Sequence, residues 1–218
     1  MSRLLLVLAL AGCATAGQST GDAARRADAP THGDAPSHSS DGAIDAAPDA
    51  PPGSCATPTQ GMIASWSFAT ATGSQATTTA STTATGITAG PVSRSAALVA
   101  ATGSGSINSS GWPTTSSLDS TKYYTFAVTP PSGCVLDLTT LATDTKTSST
   151  GPTIAVLATS VDSFGQTTPV NLNLVSSSNL MVTGATGMVE IRVFGYSASS
   201  SSGTFRIQNT LTLNGTLR

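Results

Sequence analysis

Side chains able to do chemistry are sparse after residue 54 of this chain. Both histidines, His32 and His38, lie before that point, and none follows. Without an imidazole, Ser-His-Asp and Cys-His nucleophilic arrangements and His-based zinc sites are excluded there. The flexible spacing of His32 and His38, with no converging carboxylates, speaks against a metal site at that pair. The acids after residue 54 are Asp119, Asp137, Asp144, Asp162 and Glu190. A glycoside hydrolase needs two carboxylates flanking the scissile bond at a set separation. Asp144, Asp162 and Glu190 are candidates for such a pair, but nothing in their spacing requires it. Asp144 and Asp162 are also the candidates for a structural calcium, although calcium wants about six to eight oxygens and no compact acidic loop is present. No phosphate-binding loop, dinucleotide fingerprint or Cys-x-x-Cys occurs. The expectation is a protein that is not an enzyme and holds no cofactor, that calcium apart.

Binding is a better match to the residue types. Trp112 sits in Ser110-Gly111-Trp112-Pro113, a turn-like segment. On a loop it offers an apolar face on which a sugar ring stacks; folded back, it caps the core instead. Tyr196 closes an apolar run beside the serine-rich stretch 197–202 and is a candidate rim residue. Arg192, Glu190 and Arg206 form either a polar face for a saccharide or a solvated cross-strand charge pattern. Trp66 and Phe68 read as core.

The elements that position these residues are strands. Short runs of Val, Ile, Leu, Thr and aromatics recur from 55 to 218, separated by Gly, Ser, Asn and Pro. Strands are expected over 62–68, 123–129, 135–141, 153–159, 170–175, 189–196 and 203–213, with weaker ones near 85–88, 96–100 and 105–108. Tyr124, Phe126 and Val128 alternate onto one face; so do Val170, Leu172 and Leu174; so do Phe205, Ile207, Leu211 and Leu213. Helix-forming surface residues are nearly absent from this stretch, with Glu190 its one glutamate and Lys122 and Lys146 its only lysines. The fold class is all-β: a two-sheet antiparallel β-sandwich, jelly-roll type. About 160 residues bury a sufficient core without metal or several disulfides.

The chain has 218 residues, 9% of them charged, with a net charge of −2, too small to imply nucleic acid as a partner. It opens with Met1-Ser2-Arg3 and an apolar run from Leu4 to Leu10, far short of the roughly 20 residues of a membrane span. A short basic start, an apolar core and small residues make a secretory signal. Residues 14–54 show no hydrophobic periodicity, and Asp-Ala-Pro recurs at Asp28, Asp34 and Asp49. Such a composition cannot bury enough apolar area to order itself. Extended at about 3.1 Å per residue it reaches on the order of 120 Å. The reading is a signal at 1–12, a disordered tether at 13–54 and a β domain at 55–218. In an oxidising compartment Cys55 and Cys134 either form a bridge or stay as separate thiols.

Two resemblances add to this. Leu10-Ala11-Gly12-Cys13 resembles the lipobox of bacterial lipoproteins. That resemblance implies acylation of Cys13 and anchoring in a membrane by more than one acyl chain. Ala14, in place of Asp, implies the outer membrane. Separately, Tyr123-Tyr124-Thr125-Phe126-Ala127-Val128, then Ser149-Thr150-Gly151-Pro152, Ser160-Val161-Asp162-Ser163-Phe164 and Val189-Glu190-Ile191-Arg192-Val193-Phe194-Gly195-Tyr196 occur in an order similar to an exported bacterial jelly-roll domain. Such domains occur in surface proteins with C-terminal sorting signals and resemble carbohydrate-binding sandwiches. The resemblance implies the fold and no catalytic residues. Cys134 departs from it, standing where an aromatic is expected. The expected role is a surface-exposed, lipid-anchored binding module for a glycan, or an adhesive envelope protein acting through a surface protein partner.

Overall fold

The computed structural model describes residues 55–218; the signal segment, Cys13, both histidines and the tether lie outside the described residues. The strands are β1 Thr59–Ser67, β2 Thr77–Thr78, β3 Thr82–Thr83, β4 Thr88–Ala89, β5 Val92–Arg94, β6 Val99–Ala100 and β7 Ser106–Ser110. There follow β8 Tyr123–Thr129, β9 Leu136–Thr147, β10 Ile154–Thr159, β11 Thr168–Pro169, β12 Val175–Ala185, β13 Val189–Tyr196 and β14 Phe205–Leu217. One sheet runs β12-β9-β14-β1-β3, with β7 beside β14 and β6 beside β7. The other runs β11-β10-β13-β8-β5-β2, with β4 beside β8. We call them the first and second sheets.

All strand pairings are antiparallel, save one isolated parallel bridge between Gly73 and Ile107. From β7 onwards the chain passes repeatedly from one sheet to the other. With β1 counted first and β8 to β14 following, the first sheet reads first-eighth-third-sixth and the second reads second-seventh-fourth-fifth. That winding is the jelly roll.

Period-two alternation decides which side chains enter the core. Tyr124, Phe126 and Val128 point inward from β8, and Ile191 and Val193 from β13. Phe205, Ile207, Leu211, Leu213 and Leu217 do so from β14. Asn209, at φ 58°, lies in an irregularity that adds residues to β14 against β9 between Gln208 and Thr212. The inward row resumes beyond it. An aromatic cluster joins the sheets: Trp66 lies 4.9 Å from Phe126, and Trp112 lies 5.4 Å from both Tyr124 and Phe205. Their polar atoms are satisfied, Trp66 Nε1 donating to Gly90 O at 3.0 Å and Tyr124 Oη to Phe205 O at 2.5 Å. Cys55 and Cys134 form a disulfide. Gly203 is required by close approach: a Cβ there would collide with the Thr150 carbonyl.

The structure corrects the expected strand over 170–175. Val170 is buried, but Leu172 is only partly so and Leu174 is exposed. Asn173 adopts φ 63° and its Oδ1 accepts a hydrogen bond from Thr147 N at 2.8 Å. A left-handed residue ends an extended run, so the alternation belongs to a loop. The strand proper is β12, whose Ser178, Leu180 and Val182 face inward. β9 and β14 extend past the expected ends, to Thr147 and Leu217. The weakly patterned 75–100 stretch holds five short strands, β2 to β6.

Candidate functional site

The same alternation that buries Val189, Ile191 and Val193 turns Glu190, Arg192, Phe194 and Tyr196 onto the outer face of the second sheet. Register then places Thr125 of β8 and Ala158 of β10 on either side of Arg192. Tyr123 and Val156 flank Phe194 in the same way. Val156, Ala158 and Phe194 form a second, smaller apolar cluster, over which Tyr123, Phe164 and Tyr196 pack.

Arg192 is held on three sides. Its guanidinium carbon lies 4.3 Å from the Tyr123 ring centroid and 4.0 Å from that of Phe164. Cation–π attraction to two rings is strongest where water is partly excluded. Nε lies 2.7 Å from Glu190 Oε1, which also accepts from Thr125 Oγ1 at 2.9 Å. Glu190 N donates to Ser160 Oγ at 2.9 Å, tying the strand to the loop that carries Phe164.

Phe164 reaches the site through an unusual backbone. A 3-10 turn at Ser160–Asp162 is followed by Ser163 at φ 58° and Phe164 at φ 62°. Left-handed backbone at a non-glycine costs roughly 1–2 kcal/mol. Phe164 N donates to Thr159 O at 2.9 Å, and Gln166 N to Asp162 Oδ2 at 2.8 Å. These bonds and the stack on Arg192 hold the turn. Beside it is a cleft of about 220 Å³ lined by Val161, Asp162, Gln166 and Met181 among others.

Partial burial pushes the Glu190 carboxyl up, but hydrogen bonds from Arg192 and Thr125 outweigh it and hold the group below its ordinary value near 4.5. Such a carboxylate stays ionised, the reverse of what a general acid requires. A depressed pKa contributes stability that is full above the unfolded value and drains as pH falls through the folded one. Glu190→Gln therefore removes some of the acid sensitivity below about pH 4.5. Urea unfolding at about pH 6 and about pH 3 measures it: the wild type loses more stability between the two than the variant does. Equal losses would refute the linkage.

Three of the four expected binding residues, Tyr196, Arg192 and Glu190, therefore share one face. Trp112 does not. It is 1% exposed, wedged between Tyr124 and Phe205, with Nε1 donating to Ser109 O at 2.8 Å. Its rings are committed to the core, because burying an indole across both sheets gains more than a solvent-facing position. Over its edge lies an open groove of about 560 Å³ lined by Pro113, Thr115, Leu118, Asp119 and Lys122 among others. Arg206 belongs to β14, in the first sheet, and is not among the residues of the face that Arg192 occupies.

The calcium candidates are also kept apart. Asp144 lies on β9 of the first sheet, both its oxygens taken by the Gln208 and Asn209 amides. Asp162 lies in the turn after β10 of the second sheet. Among the described residues no three His, Cys, Asp or Glu side chains converge on a metal position. Tyr123, Thr125 and Phe164 join the site without having been expected from the sequence. The first two follow from the parity that sends Tyr124 and Phe126 inward. Phe164 has no periodic signal at all.

Comparison with protein-family models, with curated proteins and with solved structures finds no match. The fold and the site therefore define the molecule by themselves: a jelly-roll sandwich with an aromatic and charged outer face.

Proposed function

We propose that this chain is a lipid-anchored protein of the cell surface whose jelly-roll domain is a non-catalytic binding module for carbohydrate. The observation that carries the reading is the outer face of the second sheet, where Tyr196 and Tyr123 are partly exposed beside Arg192 and Glu190. Carbohydrate recognition uses such faces: an aromatic surface for the apolar side of the ring, and fixed polar groups for its hydroxyls. The Tyr123 and Phe164 rings hold the Arg192 guanidinium before any ligand arrives, which lowers the ordering cost of binding.

A glycan and polysaccharide panel, with and without calcium, tests this. Tyr196→Ala and Arg192→Gln should each weaken a reproducible hit about tenfold, equivalent to about 1.4 kcal/mol. Hits that survive both substitutions would place recognition elsewhere. Anchoring is tested separately. Cys13→Ala should move the protein from the membrane to the soluble fraction, and unchanged membrane association would refute lipidation.

A second reading has its own observation. Val175, Met181 and Met188 are 74%, 87% and 64% exposed, on the edge strand β12 and the turn after it. Exposed apolar side chains on a sheet edge suit a protein partner, and hence an adhesive envelope role. A clean negative on the glycan panel with a folded domain favours that reading.

A further inference from the structure

The residues from 55 to 218 include six cationic side chains: Arg94, Lys122, Lys146, Arg192, Arg206 and Arg218. Four have evident structural partners. Arg94 donates to Ser109 Oγ and to main-chain oxygens of Gly73, Ser74, Gln75 and Asn108. Lys122, Arg192 and Arg218 pair with Asp119, Glu190 and Asp137. Among the described residues the remaining two, Lys146 and Arg206, enter no ion pair. They are also direct cross-strand neighbours, Arg206 of β14 in register with Lys146 of β9. Like charges placed opposite each other on adjacent strands destabilise the pair. Asp144, two residues along β9 from Lys146, shares their face but forms no ion pair with either.

Both side chains line one cleft of about 210 Å³, together with Thr147, Ser148 and Thr204. Ser148 Oγ accepts from Thr204 N at 2.8 Å, which leaves its own proton to donate. The nearest acid along the strand, Asp144, has both oxygens occupied by the Gln208 and Asn209 amides. Arg206 Nη1 lies beside Gly103 on the β7 side while Lys146 rises from β9 on the other, so the cleft is bordered by both cationic side chains and the Ser148 hydroxyl, and an oxyanion there would bridge them.

We propose that this cleft is an anion subsite on the first sheet, taking the carboxylate or sulfate group of an acidic polysaccharide. A membrane surface is a poorer occupant. Anionic lipid contributes only about 1 kcal/mol per Lys or Arg near the surface, so two cations hold a protein weakly. The site is separate from the outer face of the second sheet and stands or falls independently of it.

The test uses the full chain carrying Cys13→Ala, so that no acyl group of its own contributes. Dextran sulfate, polygalacturonate, neutral dextran and phosphatidylglycerol vesicles are titrated at low ionic strength. One or both acidic polymers should bind and neutral dextran should not. Lys146→Gln with Arg206→Gln should weaken binding at least tenfold. Lys122→Gln, at a cation outside the cleft that pairs with Asp119, should leave it within twofold. Thermal melts verify that each variant is folded, and Lys146→Gln alone should melt no lower than the parent, since it removes a repulsion. Failure of both acidic polymers to bind overturns the proposal, as does unchanged binding by the double variant. An equal loss in Lys122→Gln would mean diffuse charge attraction and overturn the site. Preference for the vesicles would assign the cleft to lipid phosphate and overturn the polysaccharide.

Discussion

Replacing Cys55 and Cys134 together by serine lowers the unfolding free energy by about 4–5 kcal/mol on the chain-entropy account of cross-links. The bridge spans a sequence separation of 79 residues, so its absence gives the unfolded chain a large loop's worth of freedom. The native cost adds to this, because Cys134 is 3% exposed and Cys55 packs against the same core. A domain whose net stability is of the usual order of 5–15 kcal/mol would lose much of it. Urea unfolding with and without reductant measures the effect. Reductant should shift the parent midpoint strongly downwards and leave the double variant unmoved. A parent insensitive to reductant, under conditions that reduce the bond, would refute the role.

Trp112→Ala should cost about 3–5 kcal/mol, the range for deleting a large buried aromatic. The side chain touches Tyr124 of the second sheet and Phe205 of the first, so its loss opens a cavity at the seam between them. The Ser109 carbonyl loses its indole donor as well. Trp112→Phe should recover most of the loss, because the apolar contacts matter more than the single hydrogen bond. Chemical denaturation and near-ultraviolet circular dichroism of the three proteins check this. A destabilisation under about 1 kcal/mol would contradict the burial. It follows that a binding assay on Trp112→Ala reads unfolding and not sugar contact. Tyr196 and Arg192 are the positions for that experiment.

The sandwich was legible because burial imposes a period of two. Tyr123–Thr129 and Val189–Tyr196 are bounded in the structure as the alternation bounds them. The same period places Glu190, Arg192 and Tyr196 on one face, whereas Arg206, grouped with Glu190 and Arg192 from the sequence, belongs to the other sheet. β12 was illegible for a physical reason: Ser176, Ser177, Ser178 and Asn179 have weak strand preference, so packing against β9 decides the conformation. The loop at 170–174 misled in the opposite direction, since its alternating residues resemble a strand until Asn173 turns the chain. Trp112 stood open between core and surface, because a Gly-Trp-Pro turn is compatible with either, and only the juxtaposition of Tyr124 and Phe205 decides it. The Arg192 site was half visible. Its strand residues follow from parity, whereas Phe164 arrives from a left-handed turn that leaves no periodic trace. The opposition of Lys146 and Arg206 depends on register across an irregular strand pair, which no local pattern specifies.

The disulfide also fixes how the domain responds to mechanical tension. Cys55 lies only a few residues before β1, and its partner Cys134 lies just before β9. There Val135 and Arg218 exchange main-chain hydrogen bonds, and Arg218 Nε grips Asp137 at 2.8 Å. A pull arriving along the chain from the N-terminal side therefore divides at Cys55. The covalent branch carries it past β1 to the start of β9, between β12 and β14 in the first sheet. Without the bridge, the first bonds to take the strain would be those joining Thr59 and its neighbours to the end of β14, which can break in succession. With it, peeling β1 does not lengthen the connection. A domain pulled from its N-terminal side keeps its fold while being tugged, for as long as its surroundings remain oxidising.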